Sequence, residues 1–206
     1  MTIKKVFDSI KQIVNGIEEV YQCFLESFYD NSGYRVLWEE MLQGEDNQID
    51  LLNRCMSIIP SLPHPLHEVV GKDVNYNEIM STIEKYKKEI KDGLDINRAL
   101  KIAFHLEVLE IQGIFNEIIK LPQEPYFDIL SEMHLETRRS MGALITGIEK
   151  YSYDEALLSK VIELKSCIIE KRSGIDRRAG RNSFGDTDRR NSDRRQDRIV
   201  KIVCKL

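Results

Sequence analysis

At 206 residues, 42% hydrophobic and 31% charged, the chain is long enough for one domain with a well-buried core and a short appendage. It contains no run of about eighteen apolar residues, and its N-terminal MTIKKVFDSIKQIV lacks the apolar stretch and small-residue cleavage site of a secretory signal. The expectation is a cytoplasmic protein without a membrane span. The net charge of -4 is unevenly spread: residues 171–206 carry twelve Lys/Arg against five Asp, leaving -11 on residues 1–170, an acidic body with a basic tail.

The five prolines fall in two windows, Pro60, Pro63 and Pro65, then Pro122 and Pro125, so the stretches between them are free to be helical. From about residue 3 to 29, apolar residues recur at helical spacing through Ile10, Val14, Ile17, Tyr21, Phe24 and Phe28, and the run stops at Asp30-Asn31-Ser32-Gly33. A second stripe through Leu37, Trp38, Met41, Leu52, Cys55 and Ile59 ends at Pro60. The short turn between the stripes predicts antiparallel packing of helices one and two. Residues 60–95 form a long connection containing one polar helix, from an Asn75/Glu78 capping box to Asp92 before Gly93. This crossover lets helices two and three run parallel. Helix three covers about 96–120 and helix four about 126–150, and Ser152 with Glu155 caps a fifth from about 153 to 171. IVKIV near the C-terminus could be a strand, but it has no partner. The fold class is therefore all-α, with a bundle over 1–171 and an Arg-rich tail over 172–206.

The four main helices show a faint repeat at an offset of 89 residues, read as a duplication against the alternative of a chance match between two amphipathic hairpins. Ile10 pairs with Ala99, Val14 with Ala103, Glu18 with Glu107, Met41 with Leu130 and Leu52 with Met141. Polar residues interrupt the apolar stripes at related places. Helix two runs Trp38, Met41, Glu45, Gln48, Leu52, which puts a carboxylate and an amide where leucines are expected. Helix three shows Ala103, Glu107, Glu110 and Ile114 on one face, and helix four shows Phe127, Leu130, His134, Thr137 and Met141. Glu18 lies just beside the Val14 and Tyr21 face of helix one. Burying an ionised carboxylate without a partner costs several kcal/mol, so carboxylates sharing one core need a cation, a proton or water. The competing reading rotates helix three toward Ile102, Leu106, Leu109 and Gly113, which leaves Glu107 and Glu110 solvated and His134 an ordinary polar residue.

On these residues, over about 5–150, the chain resembles the rubrerythrin-type branch of the ferritin-like superfamily. That family binds two irons between four helices, using one Glu from each of helices one and three and a Glu-x-x-His from each of helices two and four. Glu18 and Glu107 match the first pair; ALKIAFHLEVLEIQGIF is similar to the family's third helix and LWEEMLQGEDNQIDLL to its second. No Glu-x-x-His occurs in the chain: EDNQ has Gln48 at the imidazole position, and helix four carries His134 and Thr137 where Glu and His would stand. A second registration, on Glu136 and Arg139, moves Leu130 and Met141 off the stripe and sets a cation against the metal. The resemblance thus implies a ferritin-like four-helix bundle with a long crossover between helices two and three, plus a fifth helix. It implies a centre reduced to one divalent metal, iron, manganese or zinc, or to none. The ligands would be Glu18, Glu45, Glu107 and His134, surrounded by Gln48, Glu110 and Thr137, and any chemistry would be oxidative or peroxide-directed.

Other signals are weaker. His64, His67 and Glu68 sit in a proline-rich connection and read as loop, and His105 points away from the Glu107 stripe. Four scattered cysteines form no CxxC pair and read as reduced thiols. The tail repeats Asp-Arg-Arg three times among Gly, Ser and Asn. It reads as solvated, able to meet an anionic or protein partner, while its lack of interleaved aromatics disfavours nucleic acid. Exposed apolar helix faces suggest a homodimer. The alternative to a metalloprotein is a metal-free helical adaptor or regulatory module.

Overall fold

The computed structural model describes residues 2–61, 76–118 and 123–169. Among these the chain forms six α-helices and no strand: α1 (Ile3–Ser27), α2 (Ser32–Ile58), α3 (Tyr76–Lys91), α4 (Ile96–Ile118), α5 (Gln123–Tyr151) and α6 (Glu155–Ile169), with a 3-10 turn at Ile59–Ser61. Expected helices one to five correspond to α1, α2, α4, α5 and α6, and the polar crossover helix is α3. The chain divides into two compact units, Met1–Ser152 and Tyr153–Leu206. The fifth helix, grouped with the bundle on sequence, falls in the second unit, where Leu157, Val161 and Leu164 are buried at helical spacing. The Asn75 cap, His64, His67, Glu68, the Asp-Arg-Arg tail and IVKIV lie outside the described residues. No helix among the described residues is long and apolar enough to cross a membrane.

Side-chain acceptors set most of the helix starts. The Thr2 hydroxyl accepts the Lys5 amide at 3.3 Å, Asn31 accepts the Gly33 and Tyr34 amides at 3.1 and 3.2 Å, and Asp95 accepts the Arg98 amide at 2.9 Å. Each satisfies N–H groups that the first helical turn leaves unpaired. Gly93, at φ 84°, ends α3 in the left-handed region that a side chain would strain. Two boundaries differ from expectation. Asp154, not Ser152, caps α6 by accepting the Leu157 amide at 2.8 Å, while the Ser152 hydroxyl donates to Asn97 at 3.1 Å. Helix α5 begins at Gln123 and takes Pro125 into its first turn, where a missing N–H breaks no helical hydrogen bond.

Helix directions follow from which residues meet. Across α1 and α2, Phe28 meets Tyr34 and Phe24 meets Trp38, with ring centroids 5.8 and 4.7 Å apart, and Lys11 donates to Asn53 at 2.7 Å: the pair is antiparallel, as the short turn predicts. Across α2 and α5, Tyr34 meets Tyr151 at 4.9 Å and Arg54 pairs with Glu132, again antiparallel. Helix α3 lies along α1 in the same direction, with Tyr76 bonded to Gln12 and Lys87 to Glu19. It then packs antiparallel to α4 through Glu89 with Arg98 and Tyr86 with His105. The four long helices of the first unit close a ring, α1 on α2, α2 on α5, α5 on α4 and α4 on α1. Helices α2 and α4 therefore run parallel and face each other diagonally.

Asn47 donates to Glu136 at 3.0 Å. These two positions differ by the 89-residue offset, a contact that a twofold relation between the hairpins would place at its axis. At one end of the ring an apolar cluster joins Ile3, Phe7, Ile10 and Val14 of α1, Leu52 and Cys55 of α2, and Tyr126, Ile129 and Met133 of α5. Burying each large side chain there contributes about 2 kcal/mol.

Candidate metal centre

The stripe on α2 that carries Trp38, Met41 and Leu52 into the core, each 0% exposed, carries Glu45 and Gln48 with it, since residues three and four apart share a helix face. Over residues 96–111, helix α4 is buried on more than one face: Ile102, Ala103, Leu106 and Val108 are all covered. Turning it toward its other apolar face would therefore not release its acids. Glu107 and Glu110 are inside, which overturns the reading that leaves them solvated.

One carboxylate oxygen from each of Glu45, Glu107 and Glu110 lies within 4.8 Å of the other two, about the span of two oxygens on opposite sides of a single cation. The Tyr21 hydroxyl, fully buried on α1, donates to Glu107 Oε1 at 2.8 Å. The other five carboxyl oxygens of the trio have no hydrogen-bond partner among the described residues. Two ionised carboxylates no more than 4.8 Å apart repel by roughly 3 kcal/mol or more at an effective dielectric of about 20. Three such pairs rival the 5–15 kcal/mol net stability of an ordinary domain, so the trio does not stay fully ionised without compensation.

The titration behaviour follows from this geometry. Burial, then the charges of Glu110, Glu107, Glu18 and Asp46, hold the Glu45 carboxyl well above the usual carboxylate range. Burial and then Glu107 do the same to Glu110. Gln48 opposes the rise at Glu110, although its amide nitrogen stands outside hydrogen-bonding geometry. Glu107 is pushed by burial to about 7, with the Tyr21 hydrogen bond working against the rise. The Tyr21 phenol is itself held far above its usual value, first by burial and then by Glu107, so it stays protonated and serves as a donor.

The structure regroups the residues singled out by sequence. Glu45 and Glu107 come together, and Glu110, assigned to the surround, joins them as a full member. Glu18 is only half-buried and stands outside the trio, acting on Glu45 through its charge. Burial, followed by Asp46 and Glu19, raises its own pKa. His134 also stands outside the trio; burial, with Arg138 adding to it, pushes its imidazole down to about 4. Thr137 is buried, but its hydroxyl is committed to the Met133 carbonyl of its own helix at 3.0 Å. Gln48, 1% exposed, sits beside Glu110. Helical spacing marks Tyr21 only as an apolar stripe position. The signal that could have found it is a phenol within an otherwise apolar stripe, one turn from Glu18, since a buried Tyr hydroxyl seeks a partner. Cys23 and Cys55 are free thiols, half-buried and buried. His105 is exposed and meets the Tyr86 hydroxyl at 2.7 Å.

The arrangement is a buried three-carboxylate group that could hold a metal ion. The chain matches no known family, no characterised protein and no solved structure.

Proposed function

We propose that this chain is a rubrerythrin-like, ferritin-type helical bundle whose centre binds one divalent metal ion, with Glu45, Glu107 and Glu110 as the anionic ligands. The observation that carries the reading is that five oxygens on three buried, mutually close carboxylates have no hydrogen-bond partner among the described residues. A cation compensates all of them at once, whereas a proton compensates one. The helix ring, the parallel α2 and α4, and the α3 crossover support the ferritin-like topology.

An iron or manganese ion at this position would supply one-electron chemistry toward peroxide or oxygen. The chain's own contribution is separate from that chemistry. Tyr21 fixes one oxygen of Glu107 and leaves the other without a hydrogen-bond partner among the described residues. Glu45, Glu107 and Glu110 are at most 2% exposed, and this exclusion of bulk water strengthens every electrostatic contact they make. Elemental analysis of protein purified without chelator or nickel affinity tests the proposal. The expected result is about one metal per chain in the wild type, lost in Glu45→Ala. A wild type without stoichiometric metal would instead favour the adaptor reading.

A further inference from the structure

Three carboxylates provide fewer than the six or so oxygens that hard divalent cations gather, and the next polar side chain on the same face is Gln48. It follows Glu45 by three residues, so the two project from adjacent turns of α2 toward the same side. It is 1% exposed, it lies against Glu110, and its Nε2 has no hydrogen-bond partner among the described residues. A buried amide nitrogen left unbonded beside an acid is unfavourable. Its oxygen and nitrogen exchange places by a half-turn of the terminal torsion, and the turned amide presents a carbonyl oxygen to the centre.

Building on the reading of a bound cation, we infer that Gln48 supplies the fourth protein donor. The centre is then an all-oxygen site suited to a hard divalent cation of the manganese, magnesium and calcium class. Carboxylate and amide oxygens favour such ions, whereas zinc and copper favour imidazole and thiolate. The candidate soft donors are elsewhere: His134 stands outside the trio, and Cys55 belongs to the apolar cluster. Coordination positions beyond the four protein oxygens remain for water or a small oxygen ligand.

Because zinc exceeds manganese in raw affinity at most sites, the informative quantity is the ratio of the two affinities. The test is equilibrium dialysis of the metal-stripped full chain against Mn2+ or Zn2+, with helicity checked by circular dichroism, for the wild type, Gln48→Leu and Gln48→His. Gln48→Leu is expected to weaken Mn2+ binding by about tenfold or more, and Gln48→His to raise the Zn2+-to-Mn2+ affinity ratio by about tenfold or more. Manganese binding unchanged in a folded Gln48→Leu, or a ratio unchanged in Gln48→His, overturns the role of Gln48 and leaves the bound cation standing. Should Gln48→Leu fail to fold, the ratio in Gln48→His decides alone. Failure of the wild type to take up either ion defeats both readings.

Discussion

Two adjoining layers of the first unit are built on the same helices with opposite materials. In one, α1, α2 and α5 bring Phe7, Val14, Leu52, Cys55, Tyr126 and Met133 into a dry apolar cluster. In the other, one turn back along α2, the positions where leucine would continue the stripe hold Gln48 and Glu45, and α4 adds Glu107 and Glu110. The apolar layer is stabilised by area removed from water and responds little to solution conditions. The acidic layer holds side chains whose burial is unfavourable unless protons or a cation accompany them. Stability in the first layer should be a fixed quantity, and in the second a function of pH and metal.

Both layers can be perturbed, and the largest effect of a single substitution is expected in the apolar one. Leu52→Ala, at a position 0% exposed, should cost about 3 kcal/mol in denaturant unfolding, equally with and without added metal.

The next effect is the pH dependence of the metal-free protein. Glu107 is held at about 7 against an ordinary value of 4.5. Between these values the unfolded chain has lost the proton that the folded chain keeps, so the native state binds more protons and stability falls as pH rises. Over about 2.5 pH units, at about 1.4 kcal/mol per unit, Glu107 alone accounts for roughly 3 kcal/mol. Glu45 and Glu110, also held up by burial, extend the fall to higher pH. Unfolding midpoints that stay level or climb across this window would contradict the assignment.

Glu45→Leu converts part of the acidic layer into the material of the apolar one. Near neutral pH it should stabilise the metal-free protein by about 2 kcal/mol and abolish the response to metal. Smaller still, Tyr21→Phe removes the donor to Glu107 Oε1 and should cost about 1 kcal/mol. It should also raise the Glu107 pKa further, since the Tyr21 bond opposes the rise, which carboxyl-resolved NMR titration would read.

The apolar layer was the more legible of the two in the sequence. Helical spacing, the two proline windows and the capping residues locate all six helices, and Leu52 and Cys55 continue a stripe that has one sensible inward direction. Glu45 and Gln48 were legible for the same reason, as interruptions of that stripe. Helix α4 was not, because apolar residues surround it on more than one face and spacing alone does not set its rotation; Glu110 was therefore placed in the surround rather than in the trio. Glu18 and His134 followed from the resemblance and the repeat, but stripe position does not say how deeply a side chain is drawn in. Glu18, at the margin of its stripe, is only half-buried. The Tyr21 bond joins residues 86 positions apart, a pairing that only the packing of α1 on α4 creates.

The most direct test is denaturant unfolding of chelator-treated protein near neutral pH with increasing Mn2+. The account predicts that stability rises with the logarithm of free Mn2+ once the site fills, gaining about 2.7 kcal/mol at a hundredfold excess over the dissociation constant. It also predicts no such rise in Glu107→Gln/Glu110→Gln. A wild-type midpoint that stays flat across the titration would contradict it.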